Sequence, residues 1–136
     1  MQAFDERYPR GKLSPGDAAA IQELRGRWEA RQAAGQPVAL YASEGSTAWT
    51  VAFEAGPHTL TVSCLNRAVR VIGLDDVGLA PSLVSPLSEY LHTAGLAVGP
   101  ERMPMLQTAL EAVGVTRVCS IGRMQSPQAA SGSADG

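Results

Sequence analysis

Residues 91–124, LHTAGLAVGPERMPMLQTALEAVGVTRVCSIGRM, are the stretch whose reading decides the fold. Leu96-Ala97-Val98 is a short apolar run closed by Gly99-Pro100. Residues 101–113 have helical spacing, with Met103, Leu106, Leu110 and Val113 on one stripe, and Gly114 stops them. Pro104 falls in the first turn, where its missing N–H costs little. Residues 115–121 read as a second strand, closed by Gly122. Strand, helix and strand in immediate succession make a βαβ unit, which implies parallel strands under a covering helix.

Working outward, residues 79–91 hold Pro81 and Pro86, which argues against one unbroken helix. The pattern predicts a short helix from Pro86, capped by Ser85, with Leu87, Tyr90 and Leu91 inward. Residues 37–42, 48–53, 59–64 and 68–72 read as strands. Trp49, Val51 and Phe53 alternate with Thr50 and Ala52, so one face of the second strand is apolar. Gly45-Ser46-Thr47 is short enough to join the first two strands as a hairpin. Gly56-Pro57-His58 and Leu65-Asn66-Arg67 supply the next turns.

Ser14-Pro15-Gly16-Asp17 is a helix start, with Ser as N-cap and Pro at the first helical position. The helix is expected to run to about Ala34 and stop at Gly35, with Ala18, Ile21, Leu24 and Trp28 on one face. Arg25, Arg27, Glu29, Arg31 and Gln32 fall largely outside that stripe. They read as a solvated face partnered by Glu23 and Glu29 rather than as a phosphate contact. Residues 1–13 read as irregular. Residues 126–136 are small, polar and Gly/Pro-containing, and read as a disordered tail or a truncated end.

The 136 residues suffice for one domain with one core, and apolar residues at 45% with charged residues at 18% give a globular balance. A net charge of −2 argues against a nucleic-acid partner, which would need a basic surface. No apolar run approaches the length of a membrane span, and the polar, acidic N-terminus lacks the apolar centre of a signal peptide. A cytoplasmic location is therefore expected.

The chain has no GxGxxG, P-loop, HExxH, CxxC or EF-hand pattern. His58 and His92 are far apart in sequence, so no metal site is expected. Cys64 and Cys119 sit in apolar runs and read first as buried free thiols. A thiolate nucleophile at Cys64 would need a neighbouring base or helix N-terminus, and nothing local supplies one. His92 and Thr93, where a sheet strand begins, are the candidate substrate-binding pair. Asp75-Asp76 read as a solvated turn ahead of a ribose or cation contact. From the residues alone, the chain is an α/β domain without a complete active site.

The C-terminal third resembles the end of the fatty acyl-CoA reductases of the bacterial luminescence type, the LuxC-like family. The resemblance rests on Leu91-His92-Thr93-Ala94-Gly95-Leu96, where the family has Gln at the place of His92. It continues through Gly114-Val115-Thr116-Arg117-Val118-Cys119-Ser120-Ile121-Gly122-Arg123-Met124 to Asp135-Gly136. It covers residues 69–136, and over residues 8–64 only length and element order agree. The family belongs to the aldehyde dehydrogenase superfamily. The resemblance therefore implies a partial aldehyde-dehydrogenase-like catalytic domain: a mostly parallel sheet with covering helices, closed by the terminal βαβ unit.

In function the resemblance implies reduction of fatty acyl-CoA to aldehyde. An acyl group passes to a cysteine, and hydride follows from a nicotinamide cofactor, NADPH. A thioester splits one hard step into two easier ones. The family's catalytic cysteine and cofactor domain precede the matched region, and neither Cys64 nor Cys119 fits the nucleophile's motif. No catalytic and no cofactor-binding residue is carried over. Residues 1–125 are thus expected to be the C-terminal portion of the catalytic domain. Its partners would be the acyl-CoA substrate, the N-terminal remainder of the enzyme and, as in the superfamily, a second copy. The chain is expected to be inactive alone. The competing expectation is a non-catalytic α/β binding or assembly module.

Overall fold

The computed structural model describes residues 1–56 and 59–126. The turn expected at Pro57-His58 and the expected tail from residue 127 onward lie outside the described residues. The chain forms two compact units, residues 1–77 and residues 78–136.

The first unit opens with a helix where irregular chain was expected: α1, Gln2–Arg7. Six residues are too few to hold a helix by themselves. Tertiary contacts hold this one. Arg67 pairs with Asp5, donates through Nη2 to the Tyr8 carbonyl at 2.6 Å, and stacks over the Phe4 ring at 5.2 Å. Helix α2, Pro15–Ala33, has the expected start, with the Asp17 N–H donating to Ser14 Oγ at 3.1 Å. That hydroxyl also bonds the Asp17 carboxyl and lowers its pKa. Ile21 and Trp28 are buried and Leu24 half-buried, as the spacing requires. Arg27 and Glu23 pair on the exposed face at 2.8 Å. Arg25 departs from the expected solvated face: it is 8% exposed, beneath the helix.

Three strands follow: β1, Val38–Ala42; β2, Thr50–Ala55; β3, Ala68–Gly73. They lie in the order β1-β2-β3. β1 and β2 form the expected antiparallel hairpin, with Leu40 opposite Ala52. β2 and β3 run parallel, with Ala52 opposite Arg70. The sheet is therefore mixed rather than mostly parallel, because loop 43–49 is too short for a crossover.

Residues 59–64 do not form the expected strand. Neighbouring parallel strands require the chain to return to its starting end, and this segment is the return leg. Its β-forming side chains lose to that topology. Leu65, Asn66 and Arg67 then take φ values of 60°, 52° and 62°, a left-handed turn that feeds the chain into β3.

The two faces of this sheet are the reverse of a simple hydrophobic reading. Trp28 of α2 packs on Val38 and Ala52, with Leu24 and Leu40 beside them. Register then places Thr50, Glu54 and Arg70 on this covered face. The apolar side chains of Ala39, Tyr41, Val51, Phe53, Val69 and Val71 project from the other face. Tyr41 is 61% exposed, and Val69 and Val71 are each 43% exposed.

In the second unit, the expected short helix from Pro86 is a 3-10 segment, and a helical piece that was not expected precedes it. After a 3-10 turn at Val77–Leu79, α3 spans Ala80–Val84 with Pro81 in its first turn, and a 3-10 segment spans Ser85–Tyr90. Each proline begins a piece, because there its absent N–H has no partner to lose. Ser85 makes no side-chain cap, and Tyr90 is exposed rather than inward. The βαβ unit follows in the expected order, but its first strand precedes the apolar run 96–98 and overlaps it only at Leu96: β4, Thr93–Leu96; α4, Met103–Ala112; β5, Arg117–Ser120. β4 and β5 pair in parallel, Thr93 opposite Arg117. Leu106 and Leu110 of α4 are buried, with Val115 beside them in sequence.

Candidate functional site

Polar groups buried under α2 form the most organised chemistry of the first unit. Arg25 donates from Nε to Thr50 Oγ1 at 2.9 Å, from Nη1 to the Ser46 carbonyl at 2.8 Å, and from Nη2 to the Trp49 carbonyl at 2.9 Å. One guanidinium thus fixes the whole β1–β2 loop. Burial pulls its pKa below the usual arginine value, opposed by the charge of Glu29, and it stays cationic at neutral pH.

Glu54 is 4% exposed and pairs with two arginines, Arg31 at 2.9 Å and Arg70. Both guanidinium groups also stack on Trp28, at 4.9 and 5.3 Å from its ring centre. Burial acts to raise the Glu54 pKa, but the hydrogen bonds and charges of Arg70 and Arg31 outweigh it, so the carboxyl lies below its usual range. This arrangement neutralises charge and offers no group poised to accept or donate a proton near neutral pH.

A cavity of about 140 Å³ lies between α2 and the return leg, with Arg27, Trp28, Cys64 and Arg70 in its wall. It has room for a small group but not for an acyl chain. Cys64 is half-buried, not fully buried as expected, and its Sγ lies 4.0 Å from the Leu65 carbonyl. Among the described residues no imidazole lines that wall to serve as a base for the thiol. Cys119 is also half-buried and lies against the Ala94 carbonyl at 3.7 Å. A wider cleft of about 500 Å³ runs between α1 and loop 43–49, with Asp5, Glu6, Glu44 and Trp49 in its wall. Among the described residues, no cluster of side chains could hold a metal ion.

His92 and Thr93 stand at the amino end of β4. His92 is exposed and Thr93 half-buried. The His92 carbonyl accepts from Thr116 Oγ1 at 2.7 Å and from the Arg117 N–H at 3.0 Å, which fixes the backbone beneath the imidazole. The structure does not bring His92 together with a cysteine of its own unit through any hydrogen bond it contains. Asp75 and Asp76 are exposed in the turn after β3.

The carboxyl end of the β4–β5 pair is where an α/β fold normally receives ligands. Beyond that end the turn at residues 121–126 folds back along the pair toward Arg117 at its amino end. Arg117 donates to the carbonyls of Arg123, Met124 and Ser126 at 2.9, 3.2 and 2.8 Å. A Cβ on Gly95 would stand 2.7 Å from Met124 Sδ, so only glycine allows this approach. The β4–α4 connection does not suit a dinucleotide. A pyrophosphate needs open backbone N–H groups at the helix start. Instead the Glu101 carboxylate fills the space beside Gly99, and Pro104 enters the first turn. This turn therefore does not fit a dinucleotide.

Sequence reasoning passed over Arg25, Glu54, Arg70 and Arg117. A charged residue recurring at every second position of an apolar strand was the available signal for Glu54 and Arg70: such a residue either faces water or is paired inside. For Arg25 the signal was its place four residues after Ile21 and three before Trp28, on the buried side of α2.

Residues quoted for the resemblance are thus the ones that build the folded-back turn: Gly95, Arg117, Gly122 and Met124. Comparison with known proteins agrees over a wider span. A family model described as acyl-CoA reductase (LuxC) matches residues 1–136. No curated protein and no solved structure matches the chain. From the motif residues, the βαβ unit they hold together and a match along its whole length, the chain belongs to the LuxC acyl-CoA reductase family.

Proposed function

We propose that residues 1–125 are the C-terminal portion of the catalytic domain of a long-chain acyl-CoA reductase with an aldehyde-dehydrogenase-like fold. The enzyme converts fatty acyl-CoA to aldehyde through a thioester on a cysteine that precedes this chain. The observation that carries the reading is a contrast. The family match spans residues 1–136, yet among the described residues neither Cys64 nor Cys119 has a hydrogen-bonded base and the β4–α4 turn is unsuited to a dinucleotide. The nicotinamide cofactor, NADPH, is accordingly assigned to the N-terminal remainder of the enzyme. His92 and Thr93 are proposed as substrate contacts. The exposed imidazole on a fixed backbone supports this. No helix among the described residues is long and apolar enough to cross a membrane, and a cytoplasmic location is proposed.

The test is reconstitution. The chain is assayed alone and co-expressed with the polypeptide encoded before it, following NADPH oxidation with a long-chain acyl-CoA. The chain alone is expected to be silent and the pair active. Turnover by the chain alone would sink the reading. So would flanking coding sequence without a cysteine nucleophile and a nucleotide-binding domain.

The bare apolar face of the three-stranded sheet favours a second reading, a non-catalytic binding or assembly module. Thermal shift discriminates: a rise in melting temperature of the isolated chain with acyl-CoA would argue against a purely structural role.

A further inference from the structure

Among the described residues of the first unit, the three-stranded sheet is covered on one face only. Helix α2 lies there, and the return leg shares a cavity wall with α2 residues, so it is on the same side. The other face carries Ala39, Tyr41, Val51, Phe53, Val69 and Val71, with no charged side chain among them. Tyr41 is 61% exposed, and both valines 43%. Meanwhile the covered face holds Thr50, Glu54 and Arg70. A sheet that places its ion pairs under its own helix and its valines in solvent is half of a three-layer arrangement. Sheets with parallel strands are normally buried on both faces.

The size of the face indicates what covers it. Three strands, with five residues in register, span about 10 Å by about 16 Å, a footprint on the order of 200 Å². A stable dimer buries roughly 800 Å² on each partner, so this face alone falls well short for a second copy. It matches one helix, which is about 10 Å wide and spans 16 Å in about 11 residues. Helix α2 already covers the opposite face in that way. A patch this small binds durably when its occupant is held to the protein by further contacts.

We propose that the face formed by Tyr41, Phe53, Val69 and Val71 is the seat of one amphipathic helix supplied by the cysteine-bearing remainder of the reductase. This rests on the reading above, in which that remainder exists. The seat joins the chemistry, carried elsewhere, to a chain that carries none.

The full chain is prepared with Cys64→Ser and Cys119→Ser, and Val71→Cys is added as a probe for maleimide. In the isolated chain the probe is expected to react as an exposed thiol. After co-expression with the polypeptide encoded before the chain, a complex is expected in which labelling slows at least tenfold. Val69→Thr with Val71→Thr, in the chain without the probe, is expected to weaken that complex at least tenfold while leaving the melting temperature of the isolated chain unchanged. Protection of the probe in the isolated monomer overturns the proposal, since the chain then covers the face itself. Concentration-dependent dimerisation abolished by the threonines overturns it in favour of a second copy. Absence of any complex, or a complex indifferent to the threonines, also overturns it. Reductase activity of the same complex separates the two ideas. An inactive complex seated on this face refutes the proposed function alone, and an active complex indifferent to the threonines refutes the seat alone.

Discussion

Arg25 Nε donates to Thr50 Oγ1 at 2.9 Å, joining helix α2 to the first residue of β2 with both side chains buried. The same guanidinium holds the Ser46 and Trp49 carbonyls. Arg25→Met keeps the length and removes every donor. It is expected to destabilise the chain by about 3 kcal/mol, because the buried guanidinium's hydrogen bonds to Thr50, Ser46 and Trp49 are lost together, although Ser43 still donates to the last two. Thr50→Val removes one acceptor and is expected to cost about 1 kcal/mol. Urea unfolding followed by tryptophan fluorescence gives both values. Equal effects would show that the hydroxyl, not the loop carbonyls, is what matters.

Stability is expected to fall in acid through Glu54. Its pKa in the folded chain lies below the unfolded value, because Arg70 and Arg31 favour the charged form more than burial opposes it. The stabilisation is therefore complete above the ordinary glutamate pKa of about 4.3 and is lost as pH drops below it, through the lowered folded value. Glu54→Gln is expected to be less stable at pH 7 and to show a flatter melting temperature between pH 5 and about pH 3. A variant with the same acid slope as the parent would rule out Glu54 as its source.

Gly95→Ala tests the folded-back turn. The added Cβ meets Met124 Sδ, which lies at the end of a flexible and 40% exposed side chain. The methionine can swing away, so the expected loss is modest, about 1 kcal/mol. Met124→Ala makes room, and in that background Gly95→Ala is expected to be nearly neutral. Additive losses in the double variant would mean that the Ile121 backbone, 3.4 Å from the same point, is the real obstacle.

Cys64→Ser and Cys119→Ser together are expected to leave the acyl-CoA reductase activity of the co-expressed pair within about twofold of the parent, since among the described residues neither thiol is hydrogen-bonded to a base. Iodoacetamide labelling of the folded chain complements this. A Cys64 that reacts far faster than a free thiol at neutral pH would reopen the case for it as a nucleophile.

The βαβ unit was legible because its signals are local. Gly99-Pro100, Gly114 and Gly122 punctuate it, and Leu106 and Leu110 repeat at helical spacing. Helix α2 was legible for the same reason, from Ser14 and Pro15 at its start to Gly35 after its end. What the local pattern could not carry was which face of a strand the helix would choose. Thr50, Ala52 and Glu54 looked like the outward set beside Trp49, Val51 and Phe53, and the structure buries them under α2. The partners of Arg25 were hidden for a related reason: they lie on loop 43–49, some twenty residues away. Residues 59–64 have the composition of a strand, but the parallel pairing of β2 with β3 uses them as a return path. Of the candidate substrate pair, the strand start at Thr93 was readable, but the fixing of the His92 carbonyl by Thr116 and Arg117 depends on β5 coming alongside.

The return leg also sets an order of assembly in time. β1 and β2 meet across loop 43–49, a contact between near neighbours in the chain, and such contacts close quickly. β3 can dock only after the chain has doubled back and Leu65, Asn66 and Arg67 have wound left-handed. Until it does, Glu54 has Arg31 but not Arg70, and α1 lacks the Arg67 that holds it. The hairpin with α2 is thus the early half of this unit and β3 with α1 the late half. A chain that stalls between the two would hold the Glu54–Arg31 pair without Arg70, beside an unpaired sheet edge.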